Sequence, residues 1–358
     1  MRTPLNVLVG AALAVPAVLG PPSAAHAADC AATTDRWSAP VLTRAEFRPT
    51  AINNAGQIVG YKGGPGYGQH GVVYKDGGLT DLPALFGGSD GKATDIDDQG
   101  RITGSSKNLG GRTHAVVWKD GKVTELGGFF GPESIGNAIS NGQIAATADA
   151  DDGTADAYAR KRAIRFGLNG TQIDLDADQG STTVGINRVG EITGTQNLSK
   201  AVVESPYDRV QRAFITHGDS AFDLGTLGGS WSEAVALNDD GHVIGYSAAG
   251  PQGANGAAFY WSVETRMKRL ADFGGEAKPA AINNAGDIAG QLACPQGTQT
   301  DLSQAAVWSD EGAAAAFLPR PSVEGRTFAV DINDNGDVLG YVQAPITNNI
   351  QVILWKKA

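Results

Sequence analysis

Two stretches of this chain set oxygen-bearing side chains at alternate positions: Asp95-Ile96-Asp97-Asp98-Gln99-Gly100 and Asp331-Ile332-Asn333-Asp334-Asn335-Gly336-Asp337. Carboxylate and amide oxygens so spaced resemble the opening of a loop that wraps a hard cation. Neither stretch supplies the acid at the ninth position or the Glu at the twelfth that would complete such a loop. Turn chemistry is therefore the expectation here, a structural calcium ion the minor alternative, and no cofactor is expected.

Other chemistry is sparse. The sequence holds no His-Glu-x-x-His pair and no Gly-Lys-Ser/Thr phosphate cradle. Its five histidines are at 26, 70, 114, 217 and 242, and the equivalent pair His70 and His114 falls short of the three or four ligands a metal site needs. No catalytic residue is assigned. Paired carboxylates for glycoside cleavage stay open, because such pairs converge in space rather than in sequence. Asp149, Asp151, Asp152 and Asp156, followed by Arg160, Lys161 and Arg162, read as a solvated surface. Four aromatic residues fall in segments read as loops: Trp231, Tyr67, Phe129 and Phe130. Their rings can stack on sugars or anchor a partner, which makes them the expected ligand-binding residues.

The elements that must position these residues come from a repeat. A phrase of an apolar residue, a small polar one, a turn, Gly, two or three apolar residues and Gly begins at Ile52, Ile96, Ile139, Ile186, Leu237, Ile282 and Ile332. The steps are 44, 43, 47, 51, 45 and 50 residues, the period of a supersecondary unit that stacks or closes into a ring. In the second copy, Ala93–Ile96, Arg101–Ser105, His114–Trp118 and Val123–Leu126 read as four strands, with Asp120-Gly121 marking a hairpin. The third strand is apolar on both faces and needs cover from both sides, as in a propeller blade. The last copy ends at Ala358 without a fourth strand, and Ser38–Leu42 stands unpaired ahead of the first. The expected fold is an all-β, seven-bladed propeller whose N-terminal strand completes the last blade.

Recurring columns sort into structural roles. Asn53, Asp97, Ser140, Asn187, Asn238, Asn283 and Asn333 suit turns, since small polar side chains bond nearby backbone N–H groups. Tyr74, Trp118, Phe166, Thr216, Trp261, Trp308 and Trp355 read as rings wedged between blades, with Thr216 the exception. His70, His114, Arg162, Arg212, Ala257, Gln304 and Gln351 read as fasteners for local carbonyls. Strand one lines the channel, where Ala51, Ala138, Gly185, Ala236 and Ala281 suit a crowded axis.

The phrases "ALNDDGHVIGYS" from Ala236, "HAVVWKDG" from His114 and "DLGTLGGSWSEA" from Asp223 resemble the HAF repeat family of extracellular repeat proteins. The resemblance covers residues 38–358 and implies secretion and repeats, with no catalytic residues or ligand attached to it.

The remaining sequence agrees. Arg2, the apolar run Leu5–Gly20 and Ala25-His26-Ala27 form an export signal of the general secretory type, with cleavage expected after Ala27. The expected divisions are a signal peptide over 1–27, an arm over 28–37 and one propeller over 38–358. Loss of Arg2 takes the formal charge from −10 to −11, which gives no footprint for nucleic acid. The 49 glycines and 18% charged residues fit a turn-rich β chain. No second long apolar stretch offers a membrane span. Cys30 and Cys294 could pair in an oxidising compartment, though sequence does not bring them together. The reading favoured at this level is a secreted, monomeric, non-catalytic scaffold binding an extracellular protein or glycan through its loops. An extracellular hydrolase or lyase acting on a polysaccharide or small ester at the channel, and a structural component of the cell envelope, are the alternatives.

Overall fold

The computed structural model describes residues 36–38, 41–43, 47–64, 68–86, 88, 90–127, 131–149, 161–167, 172–174, 180–198, 211–250, 256–293, 303–323, 325–344 and 349–358. Six antiparallel sheets of four strands and one completed from both ends of the chain form seven blades. Their inner strands are Arg48–Ile52, Gly91–Ile96, Ser134–Ser140, Ser181–Ile186, Gly228–Leu237, Ala277–Ile282 and Arg326–Ile332. Each packs against the inner strand of the next blade, and the seventh against the first, so the sheets close into a β-propeller.

The closing blade refines the expected single strand over Ser38–Leu42. Two short strands, Trp37–Ser38 and Val41–Thr43, pair antiparallel with the last strand, Ile350–Lys357, placing Trp37 opposite Lys357 and Val41 opposite Ile353. The ring thus begins one residue earlier than the sequence indicates.

The second Gly of the repeated phrase is explained by a bulge. In blade two the register shifts between Ala93 and Asp95, so Thr94 stands out of the ladder. Its hydroxyl donates 2.6 Å to the carbonyl of Gly136 in blade three. A Cβ on the facing Gly104 would lie 2.0 Å from the Lys92 carbonyl oxygen, which favours glycine in this blade, whereas blade three forms the same bulge with Ala146 facing Gly136. Thr50 uses the same device to reach the Ala93 carbonyl at 3.1 Å.

The core lies between blades. Ala51, Val59, Ala93, Ile102, Val116 and Trp118 pack as one cluster across blades one and two. The wedge role of the aromatic column holds: Trp118, Phe166, Trp261, Trp308 and Trp355 are buried. Three of them also pin the preceding crossover, their indole N–H groups donating to the carbonyls of Pro83 (2.7 Å), Ala271 (2.7 Å) and Pro319 (2.8 Å). Thr216, buried without a ring, accepts the Ile192 N–H at 2.9 Å.

Candidate active site at the channel mouth

The turns that follow the inner strands ring one end of the channel. Asn53 shows their construction: its N–H reaches the Gln57 carbonyl at 3.1 Å, and its Oδ1 accepts the Gln57 N–H at 2.9 Å. The other end of the amide has a second use. Asn53 Nδ2 donates to the Asp97 carbonyl of blade two (3.0 Å), Asn187 to Asn238 (3.4 Å), Asn238 to Asn283 (3.1 Å), Asn283 to Asn333 (3.1 Å), and Asn333 back to Asn53 (3.1 Å). Each amide caps its own turn and holds the next blade, so the column is a belt as well as a set of turns. Asp97 replaces the donor with an acceptor and takes the Gly142 N–H at 3.1 Å and the Arg101 guanidinium at 2.7 Å.

Outside the belt, the next residue of each turn forms the rim of a polar cavity of about 900 Å³, its open mouth included. Asn54 donates to Asp98 (2.8 Å) and Asp334 (3.1 Å), and Asn284 donates to Asp239 (3.0 Å) and Asp334 (3.0 Å). Arg188 supplies a cation, 3.6 Å from Asp239.

Two carboxyls line the same cavity at strand-one positions that are Ala or Gly in the other five blades: Asp95 and Asp331. Asp331 belongs to blade seven; one of its oxygens accepts the Ile52 N–H of blade one at 2.7 Å and the other accepts the Ile332 N–H at 2.8 Å. Asp95 repeats the arrangement from blade two, bonding Ile139 of blade three and Ile96, both at 2.8 Å. Enclosure by the channel wall opposes ionisation of Asp331, the Ile52 N–H works the other way, and the charge of Asp95 adds to the rise, leaving Asp331 pushed up to about 8. Burial likewise raises Asp95, against the N–H groups of Ile139 and Ile96, to about 6. The rise is larger for Asp331 than for Asp95, which sets the acidities of the two carboxyls apart. A split of this kind between two acids of one cavity is the electrostatic basis of acid–base catalysis by two carboxyl groups.

Of the residues expected to bind ligand, only Trp231 falls among the described residues, and it does not line this cavity. Trp231 lies within the strand Gly228–Leu237 rather than in a loop, half-buried, with its ring against Gly256. Tyr67, Phe129 and Phe130 lie outside the described residues, as do Cys30, Cys294, Asp151, Asp152, Asp156 and Arg160. Asp149 pairs with Lys161 at 2.5 Å. Of the column expected to fasten local carbonyls, Arg212 does so by donating to the Ser230 carbonyl, whereas His114 contacts the Glu125 carboxylate and Gln304 accepts from the Arg320 side chain at 2.7 Å. Both stretches that resemble cation loops commit the oxygens of Asp95, Asp97 and Asp331 to backbone and Arg donors.

Sequence reasoning recognised Asp95 and Asp331 as oxygen donors but missed their pairing. The signal was their departure from the small-residue column. The expectation of no Gly-x-Ser-x-Gly elbow is also corrected, because Gly87-Gly88-Ser89-Asp90-Gly91 has that spacing. An elbow requires a strand-to-helix turn. This segment leads instead into the inner strand Gly91–Ile96, and Ser89 lies outside the described residues. The adjacent Asp90 carboxyl is held below its ordinary range chiefly by its hydrogen bond to Lys107, 2.7 Å away.

No protein-family model matches the chain, and no curated protein matches it. Among solved structures, the β-propeller domain of the Trilobed protease from Pyrococcus furiosus aligns with a TM-score of 0.58 at 11% identity, covering 87% of this chain and 96% of that one. That domain is described as having an open velcro topology, whereas here two N-terminal strands pair with the last strand. An acylaminoacyl peptidase from Pyrococcus horikoshii aligns at 0.57 and 12% identity, covering 88% of this chain and 52% of that one. A puromycin-hydrolyzing peptidase from Mycobacterium tuberculosis aligns at 0.56 and 14%, covering 90% and 54%. This chain thus spans about half the length of the two peptidases. Likeness at this identity establishes the fold. That the matching propellers occur in proteins named for hydrolysis runs against the expected non-catalytic scaffold working through its loop face. That expectation is corrected.

Proposed function

We propose that the protein is an extracellular hydrolase or lyase acting at the channel mouth on a polysaccharide or small ester, with Asp331 as proton donor and Asp95 as its ionised partner. The observation that carries this is the pair of unequal carboxyls lining one polar cavity, at two positions where the repeat otherwise places Ala or Gly. In the hydrolytic version Asp95 takes a proton from water as the water oxygen attacks the reacting carbon. Asp331 delivers its proton to the departing oxygen, so the bond breaks without a free alkoxide. The two cross-blade backbone bonds hold the carboxyls in place, and the rim of amides and carboxylates suits hydroxyl-rich substrates. Support for an extracellular setting comes from the leader-like residues 1–27 and the HAF-type phrases.

The test is turnover of aryl glycosides and aryl esters by the purified chain, beside Asp331→Asn and Asp95→Asn variants shown to be folded by circular dichroism. A loss of about a hundredfold or more in kcat for each variant is expected. Full activity in either variant would remove the pair from the chemistry. No turnover of any member of either substrate class by the unmodified chain would count against the reading itself.

A further inference from the structure

Arg48 begins the inner strand that Asn53 follows, so it stands at the other end of the channel from the amide belt. At this position the blades differ. It holds Lys92 in blade two, Glu233 in blade five, Lys278 in blade six and Phe328 in blade seven. Tyr61, Tyr246 and Tyr341 face Arg48, Glu233 and Phe328 across their ladders. The rings of Phe328 and Tyr341 stack, with centroids 4.8 Å apart and planes 17° apart. Burial raises the Tyr341 hydroxyl, against the Arg48 guanidinium of blade one that bonds it. The Lys92 ammonium of blade two lies 5.0 Å from the centre of the Tyr61 ring. Blades seven, one and two thus share a strip of three rings and two cations, each residue half-buried or exposed. Among the described residues no carboxylate pairs with Arg48 or Lys92, whereas Lys278 pairs with Glu276 at 2.9 Å and Lys107 with Asp90 at 2.7 Å. Lys92 also lines a groove between blades one and two of about 940 Å³, its open mouth included.

We propose that this strip and groove hold a polysaccharide of uronic acids, an inference that rests on the polysaccharide reading above and names its substrate class. Aromatic rings on neighbouring blades can stack on the apolar faces of successive sugars. A neutral sugar needs no cation. Two cations without carboxylate partners beside three rings, in a chain of formal charge −10, single out sugars that carry carboxylates. Arg48 can grip a carboxylate with two parallel N–H donors, and Lys92 adds a point charge. The one acid lining the groove, Asp90, is offset by Lys107. Glu233 and Glu276 gather around Tyr246 of blade five, which directs an anionic chain to blades seven, one and two. The strip is an anchor apart from the carboxyl pair, and holding a long polymer there raises its effective concentration around the enzyme.

Isothermal titration calorimetry with hexamers of galacturonate and of mannuronate, beside neutral maltohexaose, tests the anchor. At least one uronate should bind, with maltohexaose weaker by about tenfold or more. Tyr61→Ala, and separately Arg48→Gln with Lys92→Gln, should each weaken uronate binding at least about tenfold, while Tyr61→Phe, which keeps the ring, should retain it. Absence of binding by both uronates, equal affinity for maltohexaose, or unchanged affinity in the Ala and Gln variants would each overturn the proposal. Turnover of small aryl glycosides, measured in parallel, separates the two readings. Turnover without uronate binding overturns the anchor and leaves the carboxyl pair standing. Uronate binding that depends on the strip, with no turnover, supports the anchor and counts against the catalytic reading alone.

Discussion

The indole N–H of Trp37 donates to the carbonyl of Gly336 at 2.8 Å, joining two positions 299 residues apart. The ring of Trp37 is buried, and the Lys357 ammonium lies over it at 5.4 Å. Closure therefore combines a strand ladder with one large side chain seated in the last blade. Trp37→Ala should destabilise the fold by roughly 3–5 kcal/mol, the usual range for deleting a buried Trp side chain. Removing residues 28–43, which takes both closing strands, should cost more. Urea unfolding checks both, and an unchanged midpoint for Trp37→Ala would show that the ring closes without this contact.

The amide belt can be separated from the turns it caps. Asn283 accepts the Asp287 N–H at 2.9 Å through Oδ1 and donates through Nδ2 to the Asn333 carbonyl at 3.1 Å. Asn283→Asp keeps the acceptor and loses the donor, whereas Asn283→Ala loses both. The expected order of stability is Asn, then Asp, then Ala, with Ala lower by roughly 1–3 kcal/mol because a buried carbonyl and a turn N–H lose partners. If Asp and Ala variants unfold together with the parent, the belt contributes nothing measurable.

The blade count, the strand order within a blade and the closure from both ends were legible because they follow from a period and from an apolar strand needing cover on both faces. The belt was half legible. Asn at the turn column announces a cap, but the bond from Asn333 to Asn53 spans 280 positions, and no local pattern encodes it. The same limit applies to Asp331, whose bond to Ile52 spans 279 positions. Its carboxyl resembles the start of a cation loop because its immediate neighbours are polar; its cross-blade backbone donor appears only once the ring is closed. Trp231 falls outside its expected loop for a different reason. Gly228 and Gly229 mark a turn, yet the inner strand of blade five begins at Gly228 and includes Trp231.

Activity at the channel mouth should follow a bell in pH. Asp95 must be ionised and Asp331 protonated, so kcat/KM should rise through about 6 and fall through about 8. The two groups interact, so the limbs report the pair rather than either residue alone. Asp95→Asn should abolish the acidic limb together with most of the rate. A profile flat from pH 5 to 9 would remove these carboxyls from the rate-determining step.

The same two groups fix the direction in which stability depends on pH. In the unfolded chain both titrate near the ordinary Asp value of 3.8, and in the fold they titrate at about 6 and about 8. Between those limits the folded protein binds more protons than the unfolded one, so stability falls as pH rises. Their contribution is complete below about pH 4 and is lost through pH 6 for Asp95 and through pH 8 for Asp331. Asp90, held low chiefly by Lys107, acts in the opposite sense, losing its contribution as pH falls. Maximum stability is therefore expected in mildly acidic solution, with a decline on the order of a few kcal/mol toward pH 8.5. Asp331→Asn removes a backbone acceptor and lowers stability at every pH, but it should flatten the slope between pH 6 and 8. Urea midpoints for both proteins at pH 5, 6, 7 and 8.5 check this, and parallel curves would mean that Asp331 does not titrate in that window.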